Sequence, residues 1–429
     1  MVFTITRKNQ RFQEAPVYGE RPKILRAASP VACCNTDAAS RRFLQPFVPL
    51  DSYRLGSAAG DMPVIDFSSL VLPLLRLLPP ERAHGATIAA LRLGFGPRSS
   101  RGDDPILAQH LWGLDFPNPI GLAAGFDKNG EAMDAMLGIG FGFVEVGTVT
   151  PRPQDGNPKP RLFRLADDEA VINRLGFNSQ GVATVRARLA RRWARRWSAA
   201  DRRGIVGINV GRNRDSDDAA LDYAEGLKAL GGFADYAVMN ISSPNTPGLR
   251  NLQERAHMAD LIARVRAARE ELESSGVRAK AAPLPLLFKI APDLSLTQLE
   301  GIAAAALEGG IDGLIVSNTT ITRPHGLKSS DRDEVGGLSG APLFDLSTEI
   351  LRIMFRLTAG KIPLVGVGGI RTGQDAYAKI RAGASLVQLY TALIYRGPGL
   401  VAALKAELAG CLRRDGFASV AAAVGADSR

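Results

Sequence analysis

The chain has 429 residues, 45% of them hydrophobic, which suits one large domain with an appendage or two domains and excludes disorder of the whole chain. Three cysteines, two of them adjacent as Cys33 and Cys34, exclude a disulfide framework and the usual spacings of iron–sulfur ligands, and indicate a reducing compartment. The formal net charge is +10, but neither a zinc-finger spacing nor an aromatic RNA-binding signature accompanies it, so it does not predict a nucleic-acid partner.

Residues 1 to 61 are rich in Arg, Pro, Ser and Ala and show no sustained hydrophobic period, which predicts a poorly ordered extension. The segment lacks the apolar core of a secretory signal. Its arginines and its scarcity of acidic residues fit an organelle transit peptide. A start codon assigned too early, with Met62 as the true first residue, fits equally well.

Residues 62 to 104 predict two short amphipathic helices on either side of a Pro-Pro break. The apolar run before the break is interrupted by Asp66, Pro73 and Arg76 and is too short to span a bilayer. From the residues alone, the helices could form a membrane-surface anchor or a helical cap on the main domain.

A second basic feature is RARLARRWARRWSAADRR, residues 186 to 203, where arginines recur on one face of a predicted helix. Such a helix could bind phosphates or anionic lipid. A solvated surface helix is the plainer interpretation.

From residue 105 to residue 415, short apolar runs alternate with stretches long enough for a helix. The eight runs are 118–125, 143–150, 204–210, 236–242, 284–291, 313–319, 363–370 and 385–390. Such a pattern predicts a parallel sheet with covered faces, and eight units favour a closed (β/α)8 TIM barrel over a doubly wound open sheet. Residues 416 to 429 would form a C-terminal tail.

Polar residues cluster at the carboxyl ends of these runs, and in a barrel those ends converge on one rim. They are Asp127, Lys128, Thr148, Asn209, Asn240, Ser243, Lys289, Ser317, Asn318, Gly368, Gly369, Tyr390 and Thr391. The glycines after the seventh run predict a phosphate site, and the Gly-rich end of the first run suits a flat ring. The combination predicts a phosphorylated planar cofactor, with flavin mononucleotide (FMN) as the leading candidate.

The motifs in this region form a series. In chain order they are GLAAGFDKNG, EVGTVTPRPQDGNPKPRLFRL, NRLGFNSQG, NISSPNTPGLR, KIAPDL, SNTT, GGLSG, GVGGI and GASLVQLYT. The series resembles that of the dihydroorotate dehydrogenases, specifically the class 2 branch, which is membrane-associated and reduces quinones. The resemblance runs from about residue 62 to about residue 400 and does not cover residues 1 to 61.

The resemblance implies sites at named positions and no metal site. FMN contacts are expected at Ala123, Ala124, Gly125, Asp127, Thr148, Asn209, Asn240, Lys289, Ser317, Gly340, Gly369, Tyr390 and Thr391. Substrate contacts are expected at Lys128, Asn173, Arg174, Leu175, Gly176, Phe177, Asn240, Asn245, Asn318 and Thr319. Ser243 matches the catalytic base, and its being serine, where the soluble branch has cysteine, favours class 2.

The chemistry of these side chains agrees with that assignment. Dihydroorotate is a cyclic ureide with one carboxylate, and amide side chains both donate to and accept from its ring groups. Lys128 would offset the carboxylate, while Lys289 suits the flavin edge that becomes negative on reduction. Ser243 is a poor base alone, so we expect it to pass its proton to water or to a nearby Ser or Thr hydroxyl.

The resemblance implies oxidation of dihydroorotate to orotate in pyrimidine biosynthesis, with hydride transfer to FMN and electron transfer to a membrane quinone. It implies a monomeric peripheral protein on the cytoplasmic face of a bacterial inner membrane, or on the mitochondrial inner membrane. It also favours the anchor and a quinone entrance for the helical pair. The alternatives are another FMN-dependent pyrimidine-type oxidoreductase and a catalytically silent barrel that serves as an interaction module.

Overall fold

The computed structural model describes residues 68–99, 102–195, 204–246, 248–277 and 282–428. The extension expected for residues 1 to 61, and the alternative start at Met62, lie outside the described residues. The strands are β1 Gln109–Leu111, β2 Leu114–Phe116, β3 Ile120–Leu122, β4 Phe143–Val149, β5 Leu162–Leu165, β6 Ala170–Asn173, β7 Ile205–Val210, β8 Tyr236–Asn240, β9 Leu286–Ile290, β10 Gly313–Val316, β11 Gly337–Gly340, β12 Leu364–Val367 and β13 Ala384–Leu389.

Eight parallel strands close into a barrel in the order β3, β4, β7, β8, β9, β10, β12 and β13. The order around the barrel follows the order along the chain, and β13 pairs with β3 to close it. Every residue of β4, β7, β8 and β9 is buried, as expected for strands between a packed interior and a layer of helices. The predicted TIM barrel is confirmed, and the doubly wound alternative is wrong.

Helices follow most of the barrel strands and cover the outside of the barrel. In chain order, the helices before, around and after the barrel are α1 Ser68–Leu77, α2 Pro80–Arg92, α3 Met133–Ile139, α4 Gly181–Ala194, α5 Ala219–Leu230, α6 Arg255–Ser274, α7 Leu296–Gly309, α8 Phe344–Leu357, α9 Gly373–Arg381, α10 Thr391–Arg396, α11 Leu400–Arg414 and α12 Val420–Ala423. The stretch expected to be a C-terminal tail contains α12, whose Val420 and Ala423 are buried in the main core.

Three arginines in and just after α4 are engaged by neighbouring groups. Arg192 and Arg195 form ion pairs with Asp134 of α3, at 2.6 and 2.9 Å. Arg188 donates to the backbone oxygen of Asn129 at 3.0 Å. These contacts favour a surface helix fastened to its neighbours over a basic face kept free for phosphates or lipid.

The amino end of the barrel is closed by a plug of aromatic rings. The hairpin β1–β2 supplies Trp112 and Phe116, while Phe143 and Tyr236 begin β4 and β8. The Phe116 and Phe143 rings are 5.3 Å apart, and the Trp112 and Tyr236 rings are 6.3 Å apart. The rings therefore fill this end of the barrel and leave the opposite, carboxyl end as the one open to a ligand.

The helical pair before the barrel has one packed and one exposed member. Leu91 of α2 is buried in the main core, and Glu81 of α2 pairs with Arg161 at 2.7 Å. In α1, Leu74 is 65% exposed and Leu77 is 81% exposed. Among the described residues, no helix has both the length and the apolar character needed to cross a membrane.

Close packing in the plug predicts a stability effect at Gly207 of β7. A Cβ at this position would lie 2.1 Å from Cζ of Tyr236, so Gly207→Ala has to displace a buried ring. We expect a loss of about 1–3 kcal/mol in the free energy of unfolding, as for other overpacked cores, and a lower midpoint of thermal unfolding.

Gly410→Ala is the matched control for this substitution. Gly410 lies inside α11, and nothing comes within 4 Å of an added Cβ. Alanine should therefore leave the midpoint unchanged or raise it, since it favours the helix. Equal midpoints for Gly207→Ala and the unsubstituted protein would contradict the description of the plug.

Candidate active site

One large cavity opens at the carboxyl ends of the barrel strands. Its volume is about 1230 Å³ including its open mouth, and residues at the carboxyl ends of every barrel strand except β7 contribute to its walls. The antiparallel sheet β5–β6–β11 lies beside it and contributes Leu162, Val171 and Ser339 to the walls.

The structure brings together most of the residues that the sequence places in a site. The cavity is lined by Ala123, Ala124, Gly125, Lys128, Thr148, Asn173, Leu175, Gly176, Phe177, Asn240, Ser243, Asn245, Lys289, Ser317, Asn318, Thr319, Gly340, Gly369, Tyr390 and Thr391. Three other expected residues, Asp127, Asn209 and Arg174, do not line it.

The side chains of Asp127 and Arg174 are engaged elsewhere. The Asp127 carboxylate accepts from the backbone N–H groups of Glu131 and Ala132 at 2.8 and 2.7 Å, and its burial raises its pKa. It therefore shapes the loop that carries Lys128. The Arg174 guanidinium pairs with Glu334 at 2.5 Å, away from the cavity.

Asn209 belongs to a hydrogen-bond chain beneath the cavity that begins at Glu145. Its Nδ2 donates to Glu145 Oε1 at 2.7 Å, and its Oδ1 accepts from the Thr148 hydroxyl at 2.6 Å. Thr148 in turn accepts from Asn240 Nδ2 at 2.8 Å. Glu145 also accepts from Gln388 Nε2 at 2.7 Å. The chain thus connects the barrel interior to the amide of Asn240 at the cavity wall.

The asparagines at the wall hold one another in place. Asn318 Nδ2 lies 3.4 Å from Asn240 Oδ1 and donates to Ser242 Oγ at 2.9 Å. Asn245 Nδ2 donates to the side-chain oxygen of Asn173 at 3.2 Å. The four amides come from three separate segments of the chain, namely the end of β6, the end of β8 with the loop after it, and the loop after β10, and they present a neutral polar wall.

Ser243 lies in this wall and is 6% exposed. Its hydroxyl oxygen accepts from the backbone N–H of Asn245 at 3.2 Å, which leaves the hydroxyl proton free to donate. Three residues later, the hydroxyl of Thr246 is buried and has no hydrogen-bond partner among the described residues. A buried polar atom without a partner in the protein suits a role toward a ligand or water.

Two lysines reach the site and differ in their surroundings. Lys128 donates to Asn178 Oδ1, and burial together with nearby Arg161 lowers its pKa to about 7. Burial also lowers the pKa of Lys289, with the Glu145 carboxylate opposing the shift. Within the described part of the chain, Lys289 makes no side-chain hydrogen bond or ion pair. Both amines are therefore placed to gain from an anionic or electron-rich ligand.

Backbone conformation forms a shallow cradle at another part of the wall. Gly368 and Gly369 have φ angles of 117° and 74°, and Gly340 has a φ of 97°. These angles fall in the region that glycine adopts readily and other residues avoid. The lack of side chains leaves the backbone open to close approach by a ligand.

The helix α2 meets the site through His84. The His84 ring lies 5.4 Å from Phe126 and 6.3 Å from Tyr390, and its Nδ1 is 3.4 Å from the Tyr390 hydroxyl. Burial and the charge of Lys128 lower the pKa of His84 to about 4, so it is neutral at physiological pH. The uncharged His84 ring therefore packs α2 against two aromatic residues at the flank of the cavity.

Sequence reasoning missed several residues of the site. Glu145 left a visible signal, since it is an acidic residue within the apolar run FVEVGTVT. His84 lies in the second helix predicted for residues 62 to 104, and nothing in that pattern indicated a role at the site. Gln388 left the same kind of signal, an amide within the apolar run SLVQLY, whereas Thr246 left none, because its significance depends on its burial.

Comparison with known proteins agrees with the geometry. The profile of the dihydroorotate dehydrogenase family matches residues 106–412. A dihydroorotate dehydrogenase (quinone) of Xanthobacter autotrophicus is 55% identical over 366 residues, covering 85% of this chain and 100% of the relative. The mitochondrial dihydroorotate dehydrogenase (quinone) of Oryza sativa is 54% identical and covers 84% of this chain and 80% of the relative.

Solved structures give the same result. The crystal structure of DHODH from Eimeria tenella in complex with ferulenol superposes with a TM-score of 0.79 at 45% sequence identity, covering 85% of this chain and 100% of that one. The matches favour the resemblance drawn from the motifs over other flavin-dependent barrels. This chain belongs to the dihydroorotate dehydrogenase family.

Proposed function

We propose that the protein oxidises dihydroorotate to orotate at the rim cavity, with FMN as the bound flavin and a membrane quinone as the electron acceptor. The observation that carries the proposal is the wall of asparagine amides around Ser243 and Lys128 in a single cavity. Relatives named dihydroorotate dehydrogenase (quinone) support the same activity. The presence of the serine, both lysines and all four asparagines at the wall argues against a silent barrel.

The cavity fits a phosphorylated flavin. Bound FMN would supply the hydride acceptor that no side chain offers. Lys289 would face the electron-rich part of the ring, since its buried amine has no partner in the described protein. Gly340, Gly368 and Gly369 would receive the phosphate on exposed backbone.

The asparagines suit the ureide ring of the substrate. Each amide offers both donors and acceptors, so Asn173, Asn240, Asn245 and Asn318 match ring N–H and C=O groups without adding charge. Lys128 would pair with the carboxylate. A cation at one end and neutral amides elsewhere fix the orientation of an anionic ring in the cavity.

Ser243 would take the proton from C5 of dihydroorotate while the hydride leaves C6. A neutral hydroxyl adds no second anion beside the substrate carboxylate, but it needs a further acceptor for the proton. The Thr246 hydroxyl, buried and without a hydrogen-bond partner among the described residues, is our choice for the next group in that path.

The helices α1 and α2 would form the membrane and quinone entrance. The exposed leucines of α1 provide apolar surface for the lipid boundary. His84 and Tyr390 then lead from α2 to the cavity. This arrangement would let the quinone approach the flavin from a side different from the asparagine wall.

The role of Ser243 predicts a selective defect. Ser243→Ala should retain FMN, and dihydroorotate should reduce the flavin about 10²–10⁴-fold more slowly, as expected for a lost general base. The measurement is anaerobic stopped-flow absorbance of the flavin. Reoxidation of chemically reduced flavin by quinone is the internal control and should be unchanged. Reduction by dihydroorotate at the original rate would remove Ser243 from the mechanism.

The pKa of Lys128 predicts a pH dependence for orotate binding. Below pH 7 the amine is charged and ready for the carboxylate, whereas above pH 7 binding has to take up a proton. The Kd of orotate should therefore rise by up to about tenfold per pH unit between pH 7 and 8.5. Calorimetry in buffers of different ionisation enthalpy should show proton uptake over this range.

Lys128→Met separates this lysine from other titrating groups. The variant should bind orotate weakly and with little change between pH 6 and 8.5, because the titrating partner of the carboxylate is gone. A variant that keeps the pH dependence of the unsubstituted protein would show that another group is responsible.

The membrane role of α1 predicts a loss of vesicle binding on removing two exposed leucines. Leu74→Ser/Leu77→Ser should weaken co-sedimentation with lipid vesicles by about tenfold or more, since burying a leucine is worth about 1.5–3 kcal/mol. Flavin reduction by dihydroorotate should be unchanged. Leu296→Ser, at a 57% exposed leucine of α7, is the control and should bind vesicles normally. Equal binding by all three proteins would refute the anchor.

A further inference from the structure

A lysine lies fully buried behind the glycine cradle, outside the residues assigned so far. Lys379, on α9, is 0% exposed and forms no ion pair within the described part of the chain. Its Nζ donates to Ser347 Oγ at 2.8 Å and to Thr348 Oγ1 at 3.0 Å, both on α8. It also lies 5.0 Å from the ring centre of Phe344. All of these neighbours are neutral.

The neutral neighbours do not explain why a charge is buried here. Burying an ammonium without a carboxylate is costly, and burial lowers the pKa of Lys379 to about 7 despite the charges of Asp375 and Asp345 nearby. The two hydroxyls do not require it, because Ser347 and Thr348 each donate to the backbone oxygen of Phe344, at 3.1 and 2.7 Å. The two hydroxyls therefore do not need the lysine as a hydrogen-bond partner, and the lysine forms no ion pair with a described residue.

The position of Lys379 relative to the glycine cradle suggests why a lysine is buried here. Ser347 Oγ lies 3.2 Å from the backbone oxygen of Gly368, so the ammonium and Gly368 contact the same hydroxyl. A Cβ on Gly369 would lie 2.5 Å from Cα of Phe344, the residue whose ring faces the ammonium. Gly368 and Gly369 both line the cavity. One layer of glycine backbone thus separates the lysine from a ligand in the cradle.

We propose that Lys379 is a positioning residue of the cofactor site, which holds a positive charge behind the Gly368–Gly369 backbone and so favours a flavin that carries a phosphate over one that does not. The inference rests on the proposed function, since it takes the cradle as the phosphate end of the flavin site. Lys379 acts across the backbone, without touching the ligand. Its effect falls on flavin selection, because the phosphate dianion is the group that interacts with a distant charge.

A competition between FMN and riboflavin tests the proposal, since the two flavins share a ring system and differ in the phosphate. The purified holoprotein is incubated with mixtures of both flavins to equilibrium, and the bound flavin is released and quantified by chromatography. In the Lys379→Met variant, the preference for FMN should fall about tenfold or more, as expected for a lost charge within about 10 Å in a partly polar interior. Riboflavin binding should be unchanged.

Two further variants separate charge from packing. Lys379→Gln keeps a donor for Ser347 but not the charge, and it should lose the same FMN preference. Lys405→Met is the matched control, because Lys405 is another buried lysine but has Asp103 as an ion-pair partner at 2.6 Å. That variant should keep the full preference for FMN, whatever its effect on thermal stability.

The outcomes are distinct. An unchanged FMN preference in both Lys379 variants overturns the proposal, as does an equal loss of FMN and riboflavin or a failure of both variants to fold, which would mark Lys379 as a structural residue. If the unsubstituted protein itself shows no preference for FMN over riboflavin, the proposed cofactor is wrong, independently of Lys379.

Discussion

The hydrogen bonds of Glu145 are the interaction on which the polar half of the barrel depends. A carboxylate only accepts, so Asn209 and Gln388 have to turn their N–H groups toward it. Asn209 then presents its oxygen to Thr148, and Thr148 accepts from Asn240. A buried acid, 0% exposed, thereby sets the direction of the hydrogen bonds up to the cavity wall. The order of donors and acceptors offered to a ligand follows from it.

The charged side chains of the site are also arranged in a regular way. Neutral amides and a hydroxyl face the region assigned to the substrate, while the cations stand at its edges, with Lys128 at one and Lys289 at another. Each lysine is desolvated, which makes its charge sensitive to what binds. Lys379 extends this pattern behind the glycine cradle. Under the proposed function, a site built in this way would recognise an anionic substrate and a phosphorylated cofactor with neutral groups close to the reacting carbon.

Local sequence was enough to predict what depends on strand order. Lys289 lies near the end of one apolar run and Ser243 follows another, so their convergence at the rim could be predicted from the barrel alone. The sheet β5–β6–β11 could not, because its short strands pair across the chain, as Gly337 does with Asn173. The same holds for Arg174, which its motif places at the substrate but which turns toward Glu334. Strand pairing and side-chain orientation at these positions depend on long-range contacts, which a local sequence pattern does not reveal.

In the function proposed above, one cavity oxidises dihydroorotate and delivers the electrons to a quinone. The most direct measurement is an anaerobic titration of the flavin-loaded protein with dihydroorotate, followed by addition of a long-tailed quinone, with the flavin absorbance recorded throughout. We expect one equivalent of dihydroorotate to bleach the flavin with formation of one orotate, and the quinone to restore the oxidised spectrum. A flavin that stays oxidised in excess dihydroorotate, or stays reduced in the presence of quinone, would contradict it.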